Sequence, residues 1–274
     1  MDFRTEWLTI NGRRMRLLAA DGGPRAVLCW PGTGEPAEEC LGLMERGHNT
    51  GYTVAAIDPP GHGLSQPWPD SWDWRAAGLI IQEALAHLGH PAILAGHSLG
   101  GTTVLMAAPK PHGVLGMLVL DGGLPMAEPY ATPEAVEEAL KGWFQDNEFP
   151  DWNTFLFHVR AELRHWNSTV EAGLRAMMVE ENAVIKPRGD LGTIAAMLWN
   201  LSQYQLEQVP ASDLPTLMVL SEEKISAEDR SILKQRLPKL EVEELTAAGH
   251  ELPWEAPDTV LQALEKLAAR INWT

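Results

Sequence analysis

A short run of small residues in the first half of the chain presents one hydroxyl group in a pattern suited to nucleophilic chemistry. Residues 96–100 read GHSLG, which fits the spacing G-x-S-x-G, between an apolar run and a helix-like segment. A sharp strand-to-helix turn would lift the Oγ of Ser98 out of the sheet, and the flanking glycines would leave room for it. A chance match in an ordinary turn is the alternative. The context predicts that Ser98 is a nucleophile.

A serine hydroxyl needs a general base, and one late histidine suits that role. His250 lies in the run TAAGHELPWE after the last predicted strand, with Gly249 before it, where a loop could return to Ser98. His97 stands beside the serine and is expected to point away from its Oγ. The other histidines lie in loops or on helices. The pair of Ser98 and His250 therefore predicts a nucleophile with its base.

Acyl chemistry also needs two donors for a developing oxyanion. The backbone N–H of Leu99, directly after the serine, is expected to be one. The second is expected from the run PGTG at 31–34, in which Thr33 follows Gly32; a merely flexible turn is the alternative. The sequence has no G-x-G-x-x-G or Walker pattern, and HELPW lacks the second histidine of H-E-x-x-H. We therefore expect neither a metal nor another cofactor.

Alternating strands and helices are expected to position these groups. Asn11-Gly12 between two strand-like runs predicts a β-hairpin at the start of the chain. Helical segments then alternate with six predicted strands, at 25–30, 52–58, 91–96, 116–121, 216–221 and 240–245. This alternation predicts an α/β fold with a mostly parallel central sheet and helices on both faces.

One long segment interrupts the alternation. Residues 125–210 read as successive helices, starting with the N-cap signal Thr132 before a proline and including a helical apolar face over 170–178. The segment follows a strand end, the side on which open α/β sheets bind ligands. We therefore divide the chain into an α/β core, 1–124 and 211–274, and a helical cap, 125–210, over the site.

Composition restricts the partners of this chain. Its 274 residues are 45% hydrophobic and carry a formal net charge of −16, which disfavours nucleic acid and anionic membranes. The N-terminus lacks a signal-peptide pattern and no run has 18 apolar residues, so a cytoplasmic location is expected. Some of the eleven tryptophans are expected to line an apolar pocket, which favours a small apolar acyl substrate. No pattern indicates the oligomeric state.

Taken in order, these motifs resemble the alpha/beta-hydrolase superfamily with a helical cap, over essentially the whole chain. The resemblance lies in WPGTG after an early strand, DPPGHGLS after the next, GHSLGG at the turn, LPTLMVLS late and AGH near the end. It implies the α/β-hydrolase fold and a cofactor-free serine hydrolase that forms an acyl-enzyme, with a carboxylic ester as substrate. The same residues could also hydrolyse lactones, thioesters or C–C bonds, or catalyse perhydrolysis, so these activities are alternatives. A non-catalytic ligand-binding protein on this fold is the alternative from another class.

The carboxylate that would orient His250 is where the chain departs from the family pattern. In most of the family, Gly-x-x-Asp follows the strand that resembles LPTLMVLS, and its Asp completes the catalytic triad. Here residues 221–224 read SEEK, so that Lys224 takes the position of the acid. A lysine cannot accept the imidazole N–H, and the acid has to come from elsewhere.

Three substitutes for this acid are present in the sequence. Asp121 ends the strand GMLVLD, at the point where some relatives, the haloalkane dehalogenases among them, carry their acid, although Asp121-Gly122 is also a turn signal. Glu222 or Glu223 could reach in with a longer side chain. Asp229 fits a capping box on the next helix. We expect Asp121 to be the acid. The alternatives are Glu222 or Glu223 and, after them, that the chain has no functional acid.

Overall fold

The structure is a computed structural model that describes residues 2–68, 72–107, 112–221, 225–246 and 249–273. Strands alternate with helices along most of these ranges. The strands are β1 (Arg4–Ile10), β2 (Arg13–Ala20), β3 (Arg25–Trp30), β4 (Tyr52–Ile57), β5 (Ala92–His97), β6 (Val114–Leu120), β7 (Met178–Glu181), β8 (Val184–Pro187), β9 (Thr216–Leu220) and β10 (Leu240–Glu244).

The α-helices of the described residues follow the same numbering in chain order. They are α1 (Leu41–Thr50), α2 (Trp74–Leu88), α3 (Leu99–Ala107), α4 (Pro133–Asp146), α5 (Trp152–Glu162), α6 (Ser168–Met177), α7 (Leu191–Ser202), α8 (Ala227–Arg236), α9 (Leu252–Glu255) and α10 (Pro257–Arg270). Two short 3-10 helices cover Ala37–Cys40 and Leu206–Gln208.

Eight of the described strands form one mostly parallel sheet, as the α/β pattern predicts. Their order is β1-β2-β4-β3-β5-β6-β9-β10, in which β2 pairs antiparallel with both β1 and β4 and the remaining pairs are parallel. The predicted hairpin joins β1 to β2 through Asn11 and Gly12, whose φ angles are 49° and 76°. Parallel strands end at a common edge, and this edge receives the loops that carry the predicted site.

Helices cover both faces of the sheet, because each buried strand points alternate side chains to opposite sides. Leu17 and Leu28 pack with α2, α3 and α8, whereas Leu18 and Val27 pack with α1 and α10. Both layers are apolar and buried. The sheet is therefore the rigid middle layer of the fold, and the chemistry is confined to its edges and loops.

The inserted segment contains α4 to α7 and also a two-stranded hairpin, β7–β8. The prediction of helices alone was wrong at its centre: α6 ends at Met177, and Met178 begins β7 instead of extending the helical face. The reason is the turn at Asn182 and Ala183, whose φ angles of 52° and 60° allow a tight hairpin between short alternating runs.

A helix that crosses a bilayer has to be both long and apolar. None of the helices in the described ranges meets both requirements for a membrane-spanning segment.

Candidate active site

Ser98 lies at the turn between β5 and α3, as the motif predicts. Its φ is 53°, a conformation that costs a non-glycine residue free energy, and its N–H donates to Leu120 O at 2.9 Å. Helix α3 begins at Leu99. A methyl group on Gly100 would lie 2.0 Å from Trp30 O, so only glycine allows this helix to approach β3 so closely. The surroundings thus hold the serine in its strained turn.

Asp121 ends the neighbouring strand β6, and the structure brings it into contact with His250. The distance between Asp121 Oδ2 and His250 Nδ1 is 2.6 Å, and Asp121 Oδ1 accepts the backbone N–H of Ser221 at 2.6 Å. The Asp121 side chain is 3% exposed, whereas that of His250 is 45% exposed. A buried carboxylate therefore holds an accessible imidazole in a fixed orientation.

The charge states of this pair follow from the same contacts. Burial alone would raise the pKa of Asp121, but the hydrogen bonds from His250 and Ser221 outweigh it and hold the pKa below its usual value. The hydrogen bond to Asp121 raises the pKa of His250, against the opposing effects of burial and of His97. Asp121 is therefore an anion at neutral pH, and it favours the protonated imidazolium on its partner.

The other candidates for the triad acid are not seen in contact with His250 in the described residues. Asp229 lies in the first turn of α8, where its N–H donates to Ser226 Oγ at 3.0 Å, as the capping-box interpretation predicts. Glu222, Glu223 and Lys224 lie outside the described residues. Of the described carboxylates, Asp121 is the one in hydrogen-bond contact with a ring nitrogen of His250.

The turns that carry Ser98 and Asp121 touch each other. A methyl group on Gly122 would lie 2.2 Å from Ser98 O, so the two strand ends pack backbone against backbone. Within the described residues, Ser98 Oγ and His250 Nε2 have no hydrogen-bond partner, and the serine is half-buried. In the part of the chain that the structure describes, no hydrogen bond joins the two atoms to each other.

The two predicted oxyanion donors are Leu99, at the start of α3, and Thr33, in the loop after β3. Leu99 is the first residue of α3, and such a residue has no acceptor for its N–H inside the helix. Gly32 N–H donates to the carboxylates of Glu35 and Glu39, at 3.0 and 3.3 Å, so it is already engaged. Thr33, the next residue, lines the cavities described below.

A buried group of titratable side chains, which the sequence analysis did not identify, lies behind His250. It consists of Glu35, Glu39, His97 and Glu251, and we call it the carboxylate cluster. His97 donates from Nε2 to the backbone O of His250 at 2.9 Å, and its Nδ1 faces the carboxylates of Glu39 and Glu35. His97 therefore ties the loop of His250 to the end of β5.

The protonation of this cluster reflects its burial. Burial, followed by the negative charge of Glu39, raises the pKa of Glu35 to about 7. Burial, followed by the negative charge of Glu35, raises the pKa of Glu251 to about 8. For His97, burial opposes the charged form, but Glu39 and Glu35 outweigh it and hold the pKa well above its usual value. A protonated imidazole among partly protonated carboxyl groups accounts for the hydrogen bonds.

The ligand atoms of the carboxylate cluster lie within 4.8 Å of one another, a spacing that could also accommodate a metal ion. Most of them already share protons with His97 or with Gly32 N–H. Glu251 Oε2 is the exception, because it is buried without a partner among the described residues. A signal for this cluster did exist in the sequence, because two of its members lie close to predicted site residues. Glu35 is two residues after Thr33, and Glu251 directly follows His250.

Two cavities open above the strand ends and share Thr33, Trp143 and Met177. The first cavity, of about 470 Å³, is lined by His250 and by residues of α5, α6 and α9. The second cavity, of about 400 Å³, is lined by residues of α4 and α7. Ser98 itself lines neither. The inserted segment thus forms much of the wall around the predicted site, and Trp143 and Trp254 are tryptophans that line it.

Comparison with known proteins identifies relatives along nearly the full chain. The model of a family described as the alpha/beta hydrolase family matches residues 12–263. N-Formylmaleamate deformylase of Pseudomonas putida is 27% identical over 267 residues, 92% of this chain and 91% of the relative. The sn-1-specific diacylglycerol lipase of Mus musculus is 26% identical over 229 residues, 80% of this chain and 73% of the relative.

The fold has a close counterpart among solved structures. The crystal structure of E-2-(acetamidomethylene)succinate hydrolase aligns with a TM-score of 0.78 and 20% identity, covering 98% of this chain and 100% of that one. The similarity includes the sheet and the inserted segment.

Proposed function

The chain belongs to the alpha/beta hydrolase family, and on that premise we propose that it is a serine hydrolase that cleaves carboxylic esters through a covalent acyl-enzyme. The observation that carries the proposal is the 2.6 Å contact between Asp121 Oδ2 and His250 Nδ1, beside the strained turn of Ser98. This arrangement has the parts of a Ser-His-acid triad, in the chain order serine, acid, histidine. Hydrolysis is also the activity that the names of the two sequence relatives imply.

In the proposed mechanism, Ser98 Oγ attacks the ester carbonyl carbon while His250 Nε2 accepts its proton. Asp121 holds Nδ1–H and stabilises the imidazolium that forms. The C–O bond to the alcohol then breaks, and the alcohol leaves with the proton from Nε2. Water, activated by the same imidazole, attacks the acyl-enzyme, releases the acid and returns the proton to Ser98 Oγ.

The tetrahedral oxyanion would accept hydrogen bonds from the N–H groups of Thr33 and Leu99. Leu99 adds the positive end of the α3 dipole to this site. Since Thr33 borders both cavities, a substrate bound there can place its acyl group in one cavity and its leaving group in the other. The apolar walls of the second cavity favour a small substrate with an apolar acyl chain.

The experiment that tests this function is labelling with a fluorophosphonate probe, followed by peptide mapping. We expect the folded protein to be labelled at Ser98, heat-unfolded protein to be unlabelled, and Ser98→Ala to lose both the label and ester hydrolysis. Removal of the nucleophile of a serine triad lowers kcat by about 10⁶-fold. A panel of esters, thioesters and lactones would then rank the acyl bonds that are cleaved.

A control variant separates chemistry from folding. Thr169→Ala removes a hydroxyl group that donates to Asn167, the N-cap residue of α6, and lies outside both cavities, so the variant should retain labelling and hydrolysis. Full hydrolysis by a folded Ser98→Ala protein would refute the serine mechanism. A folded wild-type protein that neither labels nor hydrolyses any member of the panel would instead indicate a binding protein.

A further inference from the structure

The second cavity has an unusual lining for an apolar pocket. Its walls are mainly hydrophobic, with Leu140, Phe144, Ile194 and Leu198 among them, and its one charged lining residue in the described part of the chain is Arg188. The whole chain carries a formal net charge of −16, so an isolated cation in a pocket stands out.

The protein holds the Arg188 side chain in place but leaves part of it unpaired. Its backbone N–H donates to Met177 O at 2.7 Å, and Nη2 donates to Met178 O at 3.2 Å. Its Nε is buried and has no hydrogen-bond partner in the described residues. Nor does any described carboxylate lie within the 4.0 Å of an ion pair with it, although many other arginines here form one.

This arrangement is costly without a ligand. A buried donor on a charged group that lacks an acceptor loses its hydration without replacement, and the guanidinium also lacks a counter-charge. The planar edge of a guanidinium matches the two oxygens of a carboxylate, and the resulting charged hydrogen bonds are stronger than neutral ones. A ligand in the cavity cannot reach the buried Nε, but among the described residues Nη1 has no hydrogen-bond partner and Nη2 has one. The accessible partner of this guanidinium is therefore an anion in the second cavity, and a carboxylate can accept from both Nη atoms.

The first cavity has the opposite character. Four carboxyl side chains line it, together with Arg164, and two of them belong to the carboxylate cluster; the four are Glu35, Glu162, Glu251 and Glu255. Even with Glu35 and Glu251 protonated, Glu162 and Glu255 outnumber Arg164, so an anionic group is disfavoured there and attracted by Arg188. The charge difference therefore gives a substrate one orientation across Thr33, with its anionic end in the second cavity.

We propose that Arg188 binds a carboxylate at the far end of the acyl group, so that the substrates are monoesters of short dicarboxylic acids. The proposal rests on the proposed function, because Thr33, which borders both cavities, is also the predicted oxyanion donor. Arg188 takes no part in the bond changes. It selects the acyl group and fixes its direction, while the alcohol leaves through the first cavity.

The test compares charged and neutral esters of equal shape. Methyl 5-methylhexanoate is the neutral match of monomethyl glutarate, with an isopropyl group in place of the free carboxylate. Monomethyl adipate and methyl 6-methylheptanoate form the same pair with one more methylene. We expect wild-type kcat/KM to be at least about 10-fold higher for the better monoester than for its neutral match. In Arg188→Met this ratio should fall by about 100-fold, and in Arg188→Lys by about 10-fold, because lysine keeps the charge but loses the planar fork.

Matched measurements separate the possible outcomes. Arg160→Met removes an exposed cation of α5 outside both cavities and should keep the wild-type ratio. Hydrolysis of the neutral ester by Arg188→Met reports that the variant is folded; if it does not fold, Arg188→Lys provides the test. An unchanged ratio in a folded Arg188 variant would overturn the proposal while leaving the serine mechanism intact. Full hydrolysis by a folded Ser98→Ala protein would overturn the mechanism instead.

Discussion

At the scale of single residues, two of the proposed triad members have backbone conformations that ordinary residues avoid. Ser98 and Asp121 have φ angles of 53° and 43°, and each such conformation costs about 1–3 kcal/mol. Both end adjacent parallel strands, and hydrogen bonds to Leu120 O and from Ser221 N–H hold their turns. Strain that the sheet maintains at two neighbouring turns is consistent with a role in orienting both side chains.

Asp121→Asn tests the proposed acid. Asparagine can keep the shape of the turn but cannot stabilise the imidazolium of His250, so kcat should fall by about 10³- to 10⁴-fold. The acidic limb of kcat/KM should also move to lower pH, because the hydrogen bond to Asp121 is the largest effect that raises the pKa of His250. The kcat and the pH dependence of kcat/KM are both obtained from ester hydrolysis measured between pH 5 and 9. A near-normal rate, with loss of activity in Glu222→Gln or Glu223→Gln, would transfer the role.

At the scale of elements, the site depends on how closely helix α3 approaches strand β3. A Cβ atom on Gly100 would lie 2.0 Å from Trp30 O and 2.6 Å from Pro31 O, distances that real atoms do not adopt. The same approach places the start of α3 against the end of β3 at Trp30 and Pro31. The glycines of the turn thus have a packing role, beyond freeing the backbone of Ser98.

Gly100→Ala is therefore expected to be destabilising and to lower activity. Because the contact is with backbone, the helix has to move away from the sheet, and we expect a loss of about 3 kcal/mol or more in the free energy of unfolding. Gly142→Ala is the matched control, since its Cβ on α4 would meet no atom within 4 Å and should raise stability by about 0.5–1 kcal/mol. Urea titrations of both variants measure the difference, and equal stability of Gly100→Ala and wild type would contradict this account.

At the scale of the whole molecule, the carboxylate cluster connects distant parts of the chain. Glu35 and Glu39 come from the loop and short helix after β3, His97 ends β5, and Glu251 follows His250. Taking these groups out of water is expensive, so the cluster retains protons that exposed carboxyl groups would release. The stability of the molecule should therefore depend on pH.

Stability is expected to fall as the pH rises from about 5 to above 8. Unfolded Glu35 and Glu251 would lose their protons near pH 4.5, whereas in the folded protein their pKa values are about 7 and 8. The folded state thus binds more protons in this window, and the raised pKa of His97 acts in the same direction. Urea unfolding at pH 6 and 8.5 should differ by about 1 kcal/mol or more.

Glu251→Gln serves as the comparison for this pH effect. It removes one of the two raised carboxyl groups and should flatten the dependence of stability on pH. Added salt screens the repulsion among surface charges but acts little on buried groups. A pH dependence that is unchanged in Glu251→Gln and disappears in 0.5 M salt (roughly a 4 Å screening length) would assign the effect to the surface charge of the protein.

The sequence by itself determined the features that local patterns encode. Hydrophobic periodicity and turn residues gave the α/β class, the hairpin at Asn11 and the position of Ser98 between a strand and a helix. These depend on neighbours a few residues apart. The hairpin β7–β8 was missed because its strands have four residues each, too few for a reliable alternation beside helical segments.

Only the tertiary structure decided which distant side chains meet. Asp121 and His250 are 129 residues apart, and their contact follows from the order of the strands, which no local pattern states. The carboxylate cluster and the unpaired Nε of Arg188 likewise arise where separate segments converge. Burial of a polar atom depends on everything packed around it. The charges around the candidate site were therefore decided by the fold, whereas the position of Ser98 between a strand and a helix could be read from the sequence.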